Sequence, residues 1–250
     1  MVDIHCHLLP GVDDGAKSWE MTLQMCEKSA ADGVTHIVAT PHCNHRYGYD
    51  RAAFELLLDE LRWRFPRLEF SLGCDFHLSY ENIEDARKHP ERYTIGSTSY
   101  LLVEFSDFGM PGQMTGVLTE LADRGLRPII THPERNPMLQ RRLHLLEHWI
   151  SFGCLIQVTA NSLTGFWGPE AKRAAEKMLK EKRVHIIASD AHDPIRRSPV
   201  LSEGRKAAAK IVGEDQANTL VLLNPGAIVK GEMIAGVTTE ETSRSDSQKA

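Results

Sequence analysis

An alternation of short and long segments constrains this chain most. Short apolar, β-branched runs occur at Val2–His5, His36–Thr40, Leu68–Gly73, Tyr100–Glu104, Pro128–Thr131, Cys154–Val158 and Val184–Ala188. Between them lie segments of helical period, predicting helices near Ser18–Asp32, Arg51–Arg64, Pro111–Arg124, Leu139–Phe152 and Pro169–Lys182. Ser18 reads as a helix N-cap without a full capping box, and Gly33, Gly125 and Gly153 follow helical stretches as helix-ending glycines do. Strand starts recur about every 26–34 residues, the length of one βα unit. Seven such units predict an α/β fold, a distorted seven-stranded, TIM-like (β/α)7 barrel. Tyr80–Arg92 is a charged helical insertion, and Pro199–Gly231 reads as two terminal helices. The domain is expected to span 1–236, with 237–250 a disordered tail lacking apolar anchors.

Composition removes several classes. At 250 residues, 42% hydrophobic and 25% charged, the chain has enough apolar content for one well-buried domain. A net charge of −5 is a poor match for a nucleic-acid backbone, so no nucleic acid is expected as partner. No apolar run approaches the ~20 residues that span a bilayer, so no membrane insertion is expected. The first residues carry no signal-peptide pattern, and five cysteines without framework spacing fit reduced thiols; both predict a cytoplasmic protein. Oligomeric state is left open.

The ends of the predicted strands carry the chemistry. They run into His5-Cys6-His7, Thr40-Pro41-His42, Gly73-Cys74-Asp75, Val103-Glu104, Thr131-His132 and Ser189-Asp190-Ala191-His192. Strand alternation puts His5 and His7 on one side with Cys6 opposed, and aims Asp190 and His192 together. A parallel barrel gathers strand C-termini at one rim, so imidazoles and carboxylates from six strands meet there. So many polar groups are too costly to bury without metal, and imidazole with carboxylate suits Mn, Fe or Zn in a multinuclear hydrolytic site. Two or three divalent ions bridged by Asp75 or Glu104 would generate a bound hydroxide and clamp a phosphate, and Asp14, on a glycine-flanked loop, could add an oxygen ligand. Asp14, Asp75, Glu104 and Asp190 supply four negative charges against six from three ions, which favours an anionic substrate. Arg135, Arg196 and Arg197 follow the rim residues and could bind phosphate oxygens.

These motifs resemble the polymerase and histidinol phosphatase superfamily: HCH at 5–7, PH at 41–42, the acid at 75, EF at 104–105, H-x-E-R at 132–135 and SDAH at 189–192. The opening DIHCHLLPGVDDG is similar to its bacterial metal-dependent tyrosine-phosphatase branch of capsule and exopolysaccharide synthesis, and the likeness runs to about residue 230. The resemblance implies three ions, commonly manganese: one held by His5, His7, Asp75 and Asp190, one by Asp75, Glu104 and His132, one by Asp14, His42 and His192. It further implies that Arg135 and one of Arg196 or Arg197 bind phosphate; Arg197 is carried forward. His42 and His192 could also position a proton donor. The implied substrate is a phosphotyrosine protein, the Tyr-rich tail of a bacterial tyrosine kinase. Where this branch usually has a bridging Glu, this chain has Asp75, and the loop 106–113 matches poorly.

The same sequence bears on rival chemistries. A thiolate phosphatase needs C-x5-R, yet the residues six after Cys6, Cys26, Cys43, Cys74 and Cys154 are Val12, Asp32, Tyr49, Tyr80 and Ala160. His144 and His148 have zincin spacing but Leu145 breaks that motif, so a helix-surface role is expected. His36 and His185 read as core residues, His77 as cleft wall or ligand support, and His45 and Tyr47 as cleft candidates. The alternatives kept open are a small-molecule phosphomonoesterase such as a histidinol-phosphate phosphatase, an inactive phosphoprotein binder and a nuclease, the last disfavoured by the acidic charge.

Overall fold

The computed structural model describes residues 1–106 and 114–234. Among the described residues nine parallel strands form: β1 (Val2–Cys6), β2 (His36–Ala39), β3 (His42–Cys43), β4 (Glu69–Leu72), β5 (Asp75–His77), β6 (Tyr100–Glu104), β7 (Arg127–Thr131), β8 (Leu155–Thr159) and β9 (Ile186–Ala188). Helices intervene: α1 (Trp19–Ala31), α2 (Arg51–Arg64), α3 (Tyr80–Ala86), α4 (Met114–Asp123), α5 (Pro137–Gln140), α6 (His144–Ser151), α7 (Ala160–Thr164), α8 (Gly168–Lys180), α9 (Ser202–Val212), α10 (Glu214–Asn218) and α11 (Asn224–Lys230). The α/β class with parallel pairing follows the sequence expectation. The strands, however, divide into a three-stranded sheet, β1-β2-β4, and a six-stranded one, β3-β5-β6-β7-β8-β9.

The division has a local cause. The second and third predicted strands end at Ala39 and Leu72, and beyond Thr40-Pro41 and Gly73-Cys74 a second short strand follows each, β3 and β5. Pro41 has no N–H to give a ladder. The neighbouring backbones still meet across the break: Gly73 N donates to Ala39 O at 2.8 Å and Asp75 N to Pro41 O at 3.1 Å. On its other side β1 reaches the segment after β9, with Asp190 N donating to His5 O and His7 N to Ala191 O, both at 2.8 Å.

Local rules explain most boundaries. Ser18, Asp50 and Ser79 cap α1, α2 and α3 through their side-chain oxygens. Gly33 and Gly125, at φ of +85° and +83°, turn the chain beyond α1 and α4. The predicted helix over Leu139–Phe152 is two helices, α5 and α6, separated by Arg141–Leu143. Pro90 splits the charged insertion into α3 and a single 3-10 turn, Pro90–Arg92. The C-terminal part holds α9, α10, a π-helical turn over Thr219–Leu223 and α11 rather than two helices. Residues 111–113 of one predicted helix, most of the loop 106–113 and the expected tail from 237 lie outside the described residues.

The strands are buried on both faces, as parallel sheets covered by helices are. A large apolar cluster lies between strands and helices, with Leu58, Leu61, Leu118, Leu146, Trp149 and Ile156 among its members. A smaller cluster joins strands of both sheets through Val2, Ile4, Val38, Tyr100, Leu102, Ile129, Leu155 and Ile186. β1 contributes to both, because its register with β2 slips between Asp3 and Cys6. The bulge puts Ile4 in the smaller cluster and Cys6 in the larger, although strict alternation would place them together.

Gly204 of α9 lies against α7, where a Cβ would stand 2.6 Å from Ala160 Cβ and 2.7 Å from its Cα. Gly204→Ala should destabilise the protein by about 1–3 kcal/mol. Thermal unfolding would read this as a fall of several degrees; an unchanged midpoint would contradict the packing described.

Candidate metal centre

The HCH segment sits where β1 ends. His5 and His7 are fully buried with their Nε2 atoms 3.1 Å apart. Each ring is held from behind: His5 Nδ1 lies 2.8 Å from Gln157 Oε1 of β8, and His7 Nδ1 lies 2.8 Å from Asp13 Oδ2. A carboxylate only accepts, so His7 carries its proton on Nδ1 and turns its Nε2 lone pair inward. Gln157 fixes His5 the same way through its carbonyl oxygen. With both rings neutral, two lone pairs would face each other at 3.1 Å, and either a proton shared between them or a metal ion removes that repulsion.

Carboxylates complete this region. Asp75, at the start of β5, is fully buried, with Oδ2 3.5 Å from His5 Nε2 and 3.9 Å from His7 Nε2. Asp190 Oδ1 lies 3.4 Å from both Nε2 atoms. Neither oxygen of Asp75 meets a hydrogen-bond donor in good geometry among the described residues. An anion so placed is costly unless a cation shares its site. Across the β3–β5 pairing, His42 stands opposite Asp75 and brings Nδ1 to 3.1 Å of Asp75 Oδ2 and 3.5 Å of Glu104 Oε2. His42 Nε2 faces Asp14 Oδ1 at 3.3 Å, and His192 Nε2 faces the same oxygen at 3.4 Å.

Three donor groups result: His7, Asp14, His42 and His192; His5, His7 and Asp75; His42, Asp75 and Glu104. Each pair of groups shares one residue. A neutral imidazole offers one lone pair to one ion, whereas a carboxylate has two oxygens, so Asp75 is the group suited to bridge. These residues fit divalent ions by donor type, burial and unmet charge. His132 stands beside the groups, with Nε2 3.7 Å from Glu104 Oε1, and Asp190 is close to them through Oδ1.

Asp190 and His192 do come together, but strand alternation is not the reason. β9 ends at Ala188, and Asp190 adopts φ of +51°, a left-handed backbone also found at His132, φ +35°. Such conformations are uncommon for residues with side chains and re-aim the chain where a strand stops. Asp3 anchors the turn, accepting from Ser189 N at 3.0 Å and from its hydroxyl.

The arginines flank Asp190. Arg135 and Arg197 both pair with its Oδ2, Arg197 Nη2 at 2.7 Å. Arg196 is exposed, whereas Arg197 is partly buried against Asp190. Arg197 Nε is a buried donor without an acceptor among the described residues.

Electrostatics follow the geometry. Burial alone would lower His5, but Asp75 and Asp190 raise its pKa to about 9. Burial would also lower His42, which Asp14 and Asp75 instead hold up at about 12. Asp75, against its burial, is kept well below the carboxylate range by His5 and His42, and Asp190, likewise, by Arg135, His5 and Arg197. Burial, with Arg135 next, pushes His132 down, and burial followed by His7 lowers His192 to about 4.

Four functional candidates escape sequence reasoning. Asp13 supports rather than faces the centre: besides His7 it accepts from Gly15 N at 2.8 Å and His42 N at 3.0 Å. Its signal was the paired aspartate of GVDDG, which does not say which carboxylate turns inward. Gln157 and Trp167 carry no motif. Glu134, within H-x-E-R, is buried and holds Thr159 N and the Ser162 hydroxyl at 2.9 and 2.7 Å. Among the residues weighed, His77 turns Nδ1 to 3.6 Å of Glu104, Tyr47 stacks 6.1 Å from His42, and His45, His144 and His148 are exposed. His36 is half-buried at an ion pair with Glu69 rather than in the core, because it starts β2 opposite Glu69, with its other ring nitrogen on Ser71. His185 takes Ile156 N at 3.1 Å.

In the metal-free protein, charged His5 stabilises the fold fully below its free value near 6.5, and that contribution fades as pH rises through about 9. Metal uptake at neutral pH must therefore expel protons. Calorimetry in buffers of different ionisation enthalpy should show proton release, with affinity rising with pH; neither effect would contradict the electrostatics. Asp13→Ala, which leaves every inward donor in place, should weaken metal binding by about 10–100-fold in equilibrium dialysis; unchanged affinity would remove Asp13 from the centre.

The chain is similar to known proteins in sequence and in fold. The family described as "Capsular polysaccharide synthesis, CpsB/CapC" matches residues 1–230. CapC of Staphylococcus aureus is 37% identical over 208 residues, covering 81% of each chain. The tyrosine-protein phosphatase YwqE of Bacillus subtilis is 32% identical over 198 residues, covering 77% of this chain and 78% of YwqE. A chain from the crystal structures of YwqE of Bacillus subtilis and CpsB of Streptococcus pneumoniae, described as metal-dependent tyrosine phosphatases, superposes with TM-score 0.88 at 29% identity, covering 94% and 96%. Histidinol phosphate phosphatase of Lactococcus lactis shares the fold alone, at TM-score 0.57 and 10% identity over 88% and 95% of the chains. On the match over residues 1–230 and the identity to CapC, the chain belongs to the CpsB/CapC family of capsular polysaccharide synthesis.

Proposed function

We propose that this protein is a metal-dependent protein-tyrosine phosphatase whose substrate is the phosphorylated Tyr-rich tail of a bacterial tyrosine kinase of capsule or exopolysaccharide synthesis. One observation carries the reading: three donor groups share His7, His42 and Asp75 pairwise, with two arginines beside them. The relatives named as tyrosine-protein phosphatases supply the substrate class.

His5, His7, Asp75 and Asp190 would hold one ion; Asp75, Glu104 and His132 a second; Asp14, His42 and His192 a third. Manganese is the proposed metal, with iron or zinc as the other occupants such donors accept. Bound ions supply Lewis acidity toward phosphoryl oxygens and lower the pKa of a water to near neutrality. Arg135 and Arg197 bind the phosphate, exchanging part of their pairing with Asp190 for its oxygens, and Arg197 Nε gains the acceptor it lacks. A phenolate leaving group, of pKa ~10, needs little protonation, and His42 or His192 positions the donor for what is needed. The two sheets, linked through β1 and across the Thr40–Pro41 break, act as one distorted seven-unit barrel with the centre at its C-terminal rim. Among the described residues no helix is long and apolar enough to cross a membrane, and five buried, unpaired cysteines fit a reducing cytoplasm.

Phosphate release from a phosphotyrosine peptide by Mn-loaded protein, run beside histidinol phosphate and a chelated sample, tests this reading. Metal-dependent turnover of the peptide in preference is expected; preference for histidinol phosphate would overturn the substrate. Arg135→Ala should cost about 10–100-fold in kcat/KM, the worth of one or two charge-assisted hydrogen bonds. Asp75→Asn should abolish turnover together with metal retention.

A further inference from the structure

Both arginines lean on one aromatic ring. Trp167 lies on the connection between α7 and α8, with its ring centroid 4.0 Å from Arg135 Cζ and 5.2 Å from Arg197 Cζ. Its indole N–H donates to Asn161 Oδ1 at 2.7 Å, which pins the ring from its polar edge. Three elements thus converge: the loop after β7, the segment after β9 and the turn into α8. Without the ring, the hydrogen bonds among the described residues would tether Arg135 to Asp190 Oδ2, and Arg197 to that same oxygen and, at 3.3 Å, to the Asp190 carbonyl. One residue that serves two guanidiniums is a weak anchor, because phosphate competes for the same N–H groups.

We propose that Trp167 is a positioning residue for phosphate recognition: its π-face holds the guanidiniums of Arg135 and Arg197 in place while their N–H groups transfer from Asp190 to the substrate. The attraction of a cation to a ring face leaves the in-plane donors free, so a stacked arginine is oriented without spending its hydrogen bonds. Holding two long side chains in advance also removes conformational freedom that substrate binding would otherwise have to freeze. The inference rests on the phosphatase reading. It assigns Trp167 to the shared anion-binding step, so inorganic phosphate, a product and inhibitor, probes it directly.

The test compares Trp167→Phe, Trp167→Leu and Asn161→Ala in the metal-loaded protein, with metal content and thermal midpoint measured for each. Trp167→Leu should raise the inhibition constant of inorganic phosphate and the KM for a phosphotyrosine peptide by about 5- to 30-fold, with a smaller change in kcat. Trp167→Phe keeps a π-face and should recover most of the phosphate affinity, although it lacks the indole N–H. Asn161→Ala should fall between them. A Phe variant as impaired as the Leu variant, or a Leu variant with unchanged phosphate inhibition, would overturn the proposal. Failure of the unsubstituted protein to release phosphate would instead overturn the phosphatase reading, and the two failures are therefore distinct.

Discussion

Asp75 is a fully buried carboxylate that no donor among the described residues satisfies in hydrogen-bond geometry. An anion in that position must be neutralised, and the surrounding protein supplies the means without completing the task. His5 and His42 approach it, each kept from its own preferred neutral state by the negative charge nearby. Protons on these rings are a provisional solution, with one on His5 Nε2 shared toward His7 Nε2 at 3.1 Å; a divalent ion displaces them and supplies two positive charges beside Asp75. The supports behind the rings, Asp13 and Gln157, follow from the same need, since a histidine that must face a cation with one nitrogen has to be fixed by the other.

The backbone is arranged to deliver these groups, at visible cost to regularity. A bulge in β1 changes which side its residues face, Pro41 and Gly73 interrupt two strands just before His42 and Asp75, and left-handed conformations occur at His132 and Asp190. Each irregularity falls at the C-terminal end of a strand, where a side chain has to be aimed rather than merely packed. The ordinary hydrophobic layers on either side, rich in Leu, Ile and Val, absorb that cost.

The alternation of strand and helix was legible because parallel sheets buried on both faces demand continuous apolar runs, and Tyr100–Glu104 kept the same bounds in sequence and structure. His5, His7, His42, Asp75 and Glu104 were readable because strand ends gather at one place. Where local backbone departs from the period, the sequence was silent or right for another reason. Asp190 and His192 converge through a left-handed turn, not through alternation. GVDDG could not say that Asp13 supports and Asp14 faces the centre, since one loop conformation decides it; a Cβ on Gly15 would stand 2.1 Å from His7 O, which shows how tightly that loop is folded. Trp167 and Gln157 lie far along the chain from their partners, and nothing short of three dimensions pairs them.

All of this depends on cations filling the space around Asp75. Crystals grown with manganese and measured at an anomalous wavelength would locate them. The account predicts three separate anomalous peaks, two of them sharing Asp75, with His7 on one of those two and His42 on the third. A single peak, or density remote from Asp75, would contradict it.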